Sequence, residues 1–312
     1  MTTRLLCLGE ALIDVVDQAG STTEHVGGSL LNVACGLARL GHDATIQAWF
    51  GRDDRGARLR QWAEDAGAHV APGTEDAPRT PIAHATVDDE GRASYTFDLA
   101  WQLPTPPDTD AYDHLHTGSI AATLEPGGTE VVAAAARLGT HGTVSYDPNV
   151  RPALMVEPAA VLLRVEELVG LSTVVKASDE DLAWLYGDEP LERIMRRWAA
   201  RGPALVVVTR GPRGALATLA AHDGVREYAP AAVAVADTVG AGDEFMAGLI
   251  SGLVDGGLLG SRDAAARLAS ALWEDVEPAL RRAIAASAIT VSRRGAYAPQ
   301  RAEIEAFQAG RA

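Results

Sequence analysis

The sequence has little positive charge. Its 312 residues include 27 Lys plus Arg against 42 Asp plus Glu, which gives a formal net charge of -15. Binding to nucleic acid requires a concentrated basic surface that neutralises phosphates, and the cytoplasmic surface of a membrane is itself anionic. The composition therefore argues against nucleic acids and membranes as partners.

Lysine is almost absent, because Lys176 is the only one and all other basic residues are arginines. A Walker P-loop places its lysine between a glycine and a Ser or Thr, whereas Lys176 lies between Val175 and Ala177. The protein-kinase signature needs a lysine in an early V-A-I-K segment. Both ATP-binding classes are excluded, and Schiff-base chemistry would depend on Lys176 alone.

Cysteines and long apolar runs are also scarce. Cys7 and Cys35 lack the paired spacing of a zinc site or a disulfide framework, so we expect buried reduced thiols. Glu10 and Asp14 interrupt the first apolar stretch too early for a secretory signal. No uncharged run is long enough to span a bilayer. We therefore expect a soluble cytoplasmic protein.

Short apolar runs alternate with segments of helical periodicity along most of the chain. Strands are predicted at 5–9, 44–50, 143–146, 173–175 and 205–209, and helices at 30–40, 55–66, 161–169, 179–186 and 191–200. Continuous apolar strands that alternate with amphipathic helices are typical of a mainly parallel sheet with helices on both faces. The predicted fold class is α/β.

One segment, at about 80–103, breaks this alternation. Two extended runs flank the turn-forming residues 88–91, which predicts a β-hairpin. Large apolar side chains occupy every second position of the second run, at Tyr95, Phe97, Leu99 and Trp101. A two-stranded hairpin cannot bury such a face alone, so the main domain, a ligand or a second copy of the chain must cover it. We predict one domain over 1–312 with this hairpin inserted.

The strongest chemical signal lies at residues 237–243, D-T-V-G-A-G-D, directly before a segment of helical spacing. Small residues at a helix amino terminus expose backbone N–H groups, which bind anions together with the helix dipole. A dinucleotide fingerprint is a poor match, because Phe245 stands where its third glycine belongs. Asp243 beside bound phosphate would be repelled unless it has a chemical role, and an aspartate there can accept the proton of an attacking hydroxyl.

A second signal lies near the amino terminus, at residues 27–32. The paired glycines Gly27 and Gly28 allow a ligand to approach the backbone closely. Asp14, which we expect at the end of the first strand, and Asn32 on the following helix offer hydrogen-bonding groups to hydroxyls. Taken alone, each feature is better explained as a plain turn, a helix cap or a satisfied polar side chain than as a binding residue.

Together, these motifs resemble the ribokinase-like (PfkB) sugar kinases, in the order seen in that family. The matching segments are 9–14, 27–34, 51–56 and 237–243, and those resembling the fructokinase and 2-keto-3-deoxygluconate kinase branch are 147–151, 176–180 and 208–211. The resemblance implies a Rossmann-like α/β core, a small β-sheet lid over the sugar, and ATP-dependent transfer of the γ-phosphate to a primary hydroxyl, most simply that of fructose.

The resemblance also implies roles for individual residues. Asp243 would be the general base, with Gly240, Ala241 and Gly242 as the anion hole. The sugar would be held by Asp14, Gly28 and Asn32, with Tyr95 and Phe97 of the lid, and Asn149 and Arg151 would face the substrate or the transferring phosphate. The nucleotide would meet Lys176, Asp179, Thr209 and Gly211, where Lys176 and Asp179 take the places of the family's Asn-x-x-Glu motif. ATP and Mg²⁺ are the expected cofactors, and a monovalent cation such as K⁺ has a candidate site near Asp237, Val239 and Ser292.

One residue departs from the family pattern, since Glu244 stands where Ser usually follows the base. A second acid beside the phosphate cradle would repel phosphate unless the helix turns it away. This feature keeps open a sugar-binding regulatory protein without catalysis. 2-Keto-3-deoxygluconate kinase is the alternative substrate assignment, because Arg151 offers a cation to an acid, and a Schiff-base lyase is a third reading. The apolar stripe from Tyr95 to Trp101 predicts a homodimer through the hairpin.

Overall fold

The computed structural model describes residues 2–18, 21–87, 93–103, 105–155 and 157–310. The strands are β1 Arg4–Leu8, β2 Leu12–Gln18, β3 Ser21–Gly27, β4 Asp43–Gln47, β5 His69–Val70, β6 Ile82–Val87, β7 Ala93–Asp98, β8 His114–Gly118, β9 Thr143–Asp147, β10 Val174–Ser178, β11 Leu205–Thr209, β12 Ala215–Leu219 and β13 Arg226–Tyr228. The α-helices are α1 Ser29–Arg39, α2 Asp54–Ala66, α3 Ser119–Thr123, α4 Gly127–Leu138, α5 Pro158–Leu171, α6 Asp179–Tyr186, α7 Leu191–Ala199, α8 Ala241–Asp255, α9 Arg262–Ala269, α10 Trp273–Val291 and α11 Arg301–Ala309.

The larger sheet contains nine strands within the described residues, in the order β13-β12-β11-β10-β9-β8-β1-β4-β5. Neighbours from β11 to β5 run parallel, whereas β12 and β13 form an antiparallel edge. Parallel strands need helical crossovers, which explains the alternating sequence pattern. The predicted α/β fold class is confirmed.

Both faces of the larger sheet are buried by helices. On β1, Leu5 and Cys7 face a core formed with α1, α2, α8, α9 and α10. Leu6 and Leu8 point the other way, into a core formed with α3 to α7. Alternate residues of one apolar strand therefore reach two separate cores, which is why the strand carries no polar alternation. Cys7 and Cys35 are buried free thiols, as predicted.

Local sequence signals explain where several helices begin and end. The Asp53 side chain accepts a hydrogen bond of 2.9 Å from the backbone N–H of Gly56 and so caps α2. That helix ends at Gly67, whose φ of 87° lies in the left-handed region that glycine adopts readily. Ser178 and Asp181 form a capping box at the start of α6.

A second, smaller sheet consists of β3, β2, β6 and β7 in that order, and we call it the small sheet. The predicted hairpin strands pair antiparallel as β6 and β7, and β6 continues the sheet by pairing parallel to β2. Its predicted turn at 88–91 lies outside the described residues. The expectation that Asp14 ends the first strand is wrong, because Asp14 lies within β2, paired with His25 of β3.

The connections at β1 create a crevice at the carboxyl edge of the larger sheet. β1 pairs with β4 on one side and with β8 on the other, so the chain leaves this point in two opposite directions. Ligands of open α/β sheets bind at such a switch point. Among the helices of the described residues, none combines the length and apolar composition needed to cross a membrane.

Candidate active site

The amino terminus of α8 lies at this edge and is built from small residues. Gly240 precedes the helix with a φ of 75°, and a Cβ there would lie 2.8 Å from the Cβ of Ala296. A side chain at this position would be strained and would collide with its neighbour. Since the first N–H groups of a helix have no partner within it, the start of this 15-residue helix is suited to bind an anion.

Asp243 lies in the first turn of α8 and is held by two side chains of α1. The Ser29 hydroxyl donates a hydrogen bond of 2.6 Å to Oδ1 of Asp243. The Asn32 amide donates one of 2.8 Å to Oδ2. The Asp243 side chain is 9% exposed, so its orientation is fixed by these bonds in a nearly buried setting. The structure therefore brings Asp243 and Asn32 together, as the sequence motifs suggested.

Residues that follow β9 complete this hydrogen-bonded group. Asn149 donates from Nδ2 to the Ser29 hydroxyl at 2.9 Å. Its backbone has a φ of 40°, an uncommon conformation for a residue other than glycine. The Arg151 guanidinium donates to the carbonyl oxygen of Asn149 at 2.9 Å and to its Oδ1 at 2.6 Å. Arg151 thus orients the amide that orients Ser29.

The lone lysine forms a buried ion pair behind the α8 terminus. Lys176 Nζ donates to Oδ2 of Asp147 at 2.6 Å, and the two side chains are 4% and 3% exposed. A Cβ on Gly242 would lie 3.1 Å from Nζ, so the ammonium reaches the first turn of α8. Burial alone would lower the pKa of Lys176, but Asp147, Asp181 and Asp243 together raise it. Lys176 therefore stays protonated, which disfavours Schiff-base chemistry.

Burial also raises the pKa of Asp147, to about 6, although Lys176 opposes the shift. Asp181 and Asp243 add to the increase. The second oxygen of this carboxylate, Oδ1, is buried and has no hydrogen-bond partner among the described residues. Asp147 therefore presents an unpaired acidic oxygen close to the charges of the site.

A cavity of about 370 Å³ opens beside this group, between the two sheets. We call it the cavity. The larger sheet and its loops contribute Glu10, Gly28, Ser29, Ser119, Ile120 and Arg151 through Leu154, and the small sheet contributes Leu12, Asp14, Ala83, Phe97 and Leu99. Its size suits a small polar molecule. The side chain of Tyr95, also predicted here, lies outside the described part of the chain.

The apolar stripe of the predicted hairpin is covered largely within the chain. Phe97 and Leu99 line the cavity. Trp101 is 5% exposed and donates from Nε1 to the carbonyl oxygen of Ala121 at 2.9 Å. The stripe therefore covers the cavity and continues into the core of the main body.

Asp14 faces the cavity from the small sheet. Burial raises the pKa of its carboxyl group, while Arg151 and His25 lower it. A Cβ on Gly27 of the neighbouring strand would lie 2.1 Å from Oδ2 of Asp14. Gly27 therefore leaves the room that this carboxyl group occupies. Gly28 lies at the start of α1 on the wall of the same cavity.

The residues predicted to meet the nucleotide follow β10 and β11 at the same edge. Asp179 forms an ion pair with Arg213, and the Thr209 hydroxyl donates to the carbonyl oxygen of Ala177 at 3.4 Å. Gly211 is exposed, with a φ of 52°. The ion pair of Asp179 and the hydrogen bond of Thr209 do not link these residues to the group around Asp243.

Asp181, which the sequence analysis did not single out, lies closer to the site. Its Oδ1 accepts from the backbone N–H of Val150 at 2.7 Å, and its Oδ2 accepts from that of Ser178 at 2.8 Å. Asp181 raises the pKa of Lys176. The carboxylate of α6 that acts on the buried ion pair is therefore that of Asp181.

Glu244 turns away from the α8 terminus and into the protein. Its side chain is 1% exposed, and its oxygens lie 2.6 and 2.9 Å from the position of a Cβ on Gly36 of α1. Neither oxygen has a hydrogen-bond partner among the described residues. Burial first, and then Asp243, raise the pKa of Glu244 well above its usual range, while Arg39 lowers it. A neutral Glu244 adds no charge beside a phosphate.

At the predicted monovalent-cation site, Asp237 connects the loop before α8 to the loop after α10. Asp237 accepts from the backbone N–H groups of Val239 at 3.1 Å and of Gly295 at 2.9 Å. Ser292 instead caps its own helix by donating to the carbonyl oxygen of Ile289 at 2.7 Å. Both oxygens of Asp237 thus order the loops that flank the α8 terminus.

Sequence reasoning assigned no role to five residues of this site: Glu10, Ser29, Ser119, Asp147 and Asp181. Two of them had a weak signal, because Ser29 lies between the paired glycines and Asn32, and a buried lone lysine requires an acid. Their partners are far away in sequence, 214 residues for the Ser29 hydrogen bond to Asp243. Only the fold brings them together.

Comparisons with known proteins concern the chain as a whole. The model of the pfkB family carbohydrate kinases matches residues 2–303. The fructokinase of Klebsiella pneumoniae is 32% identical over 268 residues, which cover 83% of this chain and 87% of that protein.

Two solved structures extend the comparison. A double mutant of the fructokinase from Vibrio cholerae, with fructose, ADP and potassium ion bound, has a TM-score of 0.80 and 28% identity over 98% of each chain. The fructokinase from Xylella fastidiosa with bound ATP has a TM-score of 0.83 and 22% identity, covering 100% of this chain and 99% of that one, a likeness that concerns the fold alone. By its sequence over almost the whole length, this chain belongs to the pfkB family of carbohydrate kinases.

Proposed function

We propose that this carbohydrate kinase is an ATP-dependent fructokinase, which transfers the γ-phosphate to a primary hydroxyl of fructose. The observation that carries the proposal is the carboxylate of Asp243, held by Ser29 and Asn32 in the first turn of α8. It stands next to a sugar-sized cavity on one side and an anion-binding helix terminus on the other. A general base belongs between these two features.

The cavity supplies the sugar-binding groups. Asp14 accepts hydrogen bonds from hydroxyls, and the backbone at Gly28 allows a close approach. Asn32 and Asn149 hold the group around Asp243, and Asn32 retains an unpaired Oδ1 atom. The small sheet, with Phe97 on the wall of the cavity, would form the lid over the sugar, which excludes water from the reaction and so prevents ATP hydrolysis.

Asp243 then acts on the hydroxyl that attacks. Its carboxylate takes the proton of the primary hydroxyl as that oxygen bonds to the γ-phosphorus of ATP, and ADP leaves with the bridging oxygen. The backbone N–H groups of Gly240, Ala241 and Gly242 offset the negative charge on the transferring group. Lys176 and Arg151 add positive charge that also stabilises the transferring group.

Near the site, one acidic side chain offers an oxygen that could bind a magnesium ion. The unpaired Oδ1 of Asp147 is the kind of oxygen that Mg²⁺ takes directly or through water. No group of three or more His, Cys, Asp or Glu side chains suited to a metal was found among the described residues. Asp147 would therefore help to hold Mg²⁺ that arrives with the nucleotide, and the ion would neutralise phosphate charge.

Nucleotide and monovalent cation complete the proposed set of ligands. Lys176, Asp179, Thr209 and Gly211 mark the edge along which ATP lies. K⁺ would bind where Asp237 holds the Val239 and Ser292 loops against each other, with backbone oxygens as ligands. The potassium ion in the Vibrio cholerae fructokinase structure supports this assignment.

Fructose is the preferred substrate because the curated relatives at about 30% identity are fructokinases. 2-Keto-3-deoxygluconate is the second candidate, since Arg151 lines the cavity and carries the cation that an acid needs. A catalytically inactive regulatory protein has lost its main support, because Glu244 is buried against α1 and leaves the group around Asp243 intact.

A coupled assay of ADP release tests the substrate. The panel contains fructose, 2-keto-3-deoxygluconate, ribose, tagatose and nucleosides, each at matched concentration with MgATP. We expect the highest kcat/KM for fructose. A higher value for another sugar would overturn the substrate assignment, and sugar binding by calorimetry without ATP turnover would favour the regulatory reading.

The assembly and location are part of the same proposal. We retain the homodimer through the hairpin, although Phe97, Leu99 and Trp101 are occupied within the chain, so other residues of the small sheet must form the contact. Sedimentation as a monomer at micromolar concentration would contradict it. The cytoplasm is the proposed location, because the reaction consumes ATP and both thiols are free.

A further inference from the structure

Glu10 lies at the point where the larger sheet changes direction. It follows β1, and Ser119 follows the neighbouring strand β8. Ligands of open α/β sheets bind outside the carboxyl ends of the two strands that flank such a switch point. Glu10 also lies in the short connection from β1 to the small sheet. Its position is therefore that of a ligand-binding residue, although the sequence analysis gave Glu10 no role within the matching segment 9–14.

The side chain of Glu10 belongs to the wall of the cavity, together with Asp14, Ser119 and Arg151. It is 7% exposed, and its Oε1 accepts a long hydrogen bond of 3.3 Å from the backbone N–H of Ser29. Its Oε2 is buried without a hydrogen-bond partner among the described residues. Because buried polar atoms are nearly always paired, the carboxyl group has capacity for a ligand.

Ser119 strengthens this assignment. Its φ of 52° is unusual for a residue other than glycine, and its side chain is almost fully buried. Unfavourable backbone conformations of this kind concentrate at ligand-binding sites. Among the residues of the described ranges, only Asn149 shares this feature, and it belongs to the group around Asp243. Burial raises the pKa of Glu10, and the Ser119 side chain opposes that increase.

The surroundings leave Glu10 able to donate as well as accept. Burial raises the pKa of its carboxyl group to about 7, and Asp243 adds to this, while Ser119 and Arg151 oppose it. Near neutral pH, both protonation states are populated. A carboxyl group in this condition can pair with a sugar hydroxyl in either direction.

We infer that Glu10 is a further sugar-binding residue, whose carboxyl group binds one hydroxyl of a neutral sugar at the switch point and disfavours substrates with a carboxylate there. The inference rests on the proposed sugar kinase activity and deepens it, because it names the residue that selects neutral sugars over sugar acids.

The charges of the cavity support this selectivity. Glu10 and Asp14 are both acidic, whereas Arg151 is the one cation among its lining residues within the described chain. Arg151 already donates to Asn149. A sugar acid would bring a third carboxylate to two acids and a partly occupied cation, whereas a neutral sugar adds no charge.

A thermodynamic cycle between the residue and the sugar tests the contact. Glu10→Ala and Glu10→Gln are compared with the wild type on fructose and on each of its monodeoxy analogues. We expect Glu10→Ala to raise the KM for fructose about 10-fold or more, with a smaller effect on the KM for ATP. One analogue should lose affinity in the wild type and lose nothing further in Glu10→Ala, because its missing hydroxyl is the partner of Glu10. If every analogue loses as much affinity in Glu10→Ala as it does in the wild type, no hydroxyl is coupled to Glu10, and the inference is overturned.

The Glu10→Gln variant tests the selectivity and keeps the shape of the side chain. We expect the ratio of kcat/KM for fructose to that for 2-keto-3-deoxygluconate to fall about 5-fold or more. An unchanged ratio would overturn the selective role. Glu244→Gln is the matched control, because it removes another buried acid that does not line the cavity and should leave the ratio unchanged. If Glu10→Ala fails to fold, the same analogue series with Glu10→Gln decides the contact.

The outcome is separable from that of the proposed function. If another neutral sugar is the best substrate, the cycle is run with the deoxy analogues of that sugar, and Glu10 should still couple to one hydroxyl. If no turnover occurs, calorimetric Kd values for the sugars replace KM. A wild-type preference for 2-keto-3-deoxygluconate would overturn both statements.

Discussion

The Ser29 hydroxyl donates a hydrogen bond of 2.6 Å to Oδ1 of Asp243, and so joins the first residue of α1 to the first turn of α8. The same hydroxyl accepts from Asn149 at 2.9 Å. Ser29 thus transmits the orientation of the loop after β9 to the carboxylate. A hydroxyl is suited to this position because it donates and accepts at once.

Replacing Ser29 by Ala removes one of the two side-chain donors that orient Asp243. We expect kcat to fall about 10-fold or more, since hydrogen bonds to charged groups are worth roughly 1.5–3 kcal/mol. The KM for the sugar should change less. Steady-state kinetics give both values, with Ser270→Ala on the exposed end of α9 as a control. An unaltered kcat would mean that Asn32 alone positions the carboxylate.

Asp243→Asn tests the general base directly. We expect turnover to fall by about two orders of magnitude or more, with sugar and nucleotide binding largely retained. The fold should tolerate the change, because Asn32 has an unpaired Oδ1 and can rotate its amide to accept from the new side chain. Turnover and calorimetric binding are the two measurements. Near-normal turnover would remove Asp243 from this role.

The main fold could be predicted because its signals are local. Residues Leu5 to Leu8 and Val206 to Val208 form continuous buried apolar runs, which only a sheet covered on both faces explains. The small sheet was predicted in part. β3 reads Ser-Thr-Thr-Glu-His-Val-Gly and is largely exposed, so it lacks the apolar alternation that identifies a strand. β2, which contains Asp14, was not predicted either, and missing it misplaced Asp14.

The candidate site also contains some residues that the sequence indicates locally and others whose role depends on the tertiary structure. Asp243, Gly240 and Asn32 lie in short motifs whose residue types indicate chemistry on their own. Asp147 and Glu10 also lie in segments that resemble the family, but an acid at the end of a buried strand has no local pattern that indicates its role. Their importance comes from burial and from the partners that the tertiary structure supplies, Lys176 at 2.6 Å from Asp147 and Ser29 at 3.3 Å from Glu10.

Gly28→Ala should damage the site more than the fold. Gly28 has a φ of 110°, and a Cβ there would lie 2.5 Å from the carbonyl oxygen of Glu10 and 2.8 Å from Cα of Ala11. Since both contacts are with backbone, the start of α1 must shift, and Ser29 with it. We expect kcat/KM to fall about 10-fold or more, by the loss of one hydrogen bond to a charged group.

Gly67→Ala is the matched control for Gly28→Ala. Gly67 has a comparable φ of 87°, but nothing lies within 4 Å of a Cβ there. Gly67→Ala should lower the free energy of unfolding by only roughly 1–2 kcal/mol, the cost of a left-handed conformation in a residue other than glycine. Its kinetic constants should be unchanged. Equal activity in both variants would show that the close contact at Gly28 has no effect on the site.

Lys176→Met should lower both stability and activity. It leaves Asp147 buried without a counter-ion, and breaking a buried pair from one side costs about 3–5 kcal/mol. The double variant with Asp147→Asn removes the remaining charge. We expect the double variant to recover much of the melting temperature but little of kcat, because it still lacks the positive charge at the α8 terminus and also lacks the Asp147 carboxylate proposed to help hold Mg²⁺. Recovery of kcat together with stability would assign Lys176 a purely structural role.

Glu244→Gln should make the protein less sensitive to alkaline pH. Burial and then Asp243 raise the pKa of Glu244 well above its usual value of 4.5, so the folded state holds this proton more tightly than the unfolded chain. The contribution of Glu244 to stability is therefore complete below pH 4.5 and is lost as the pH rises through the folded-state pKa. Glutamine has the same shape and no proton to lose.

The melting temperatures of wild type and Glu244→Gln, measured from pH 5 to pH 9, check this sign. The advantage of the variant should be smallest at the acidic end and grow with pH, by roughly 2–4 °C for each kcal/mol of the lost contribution. Glu10 and Asp147 have raised pKa values too and impose the same trend on both proteins, so only the difference between the two curves reports on Glu244. Glu305→Gln, at an exposed position of α11, controls for loss of a surface charge. Parallel curves would mean that Glu244 ionises in the folded protein as easily as in the unfolded chain, and that its unpaired position against Gly36 is relieved by movement of α1.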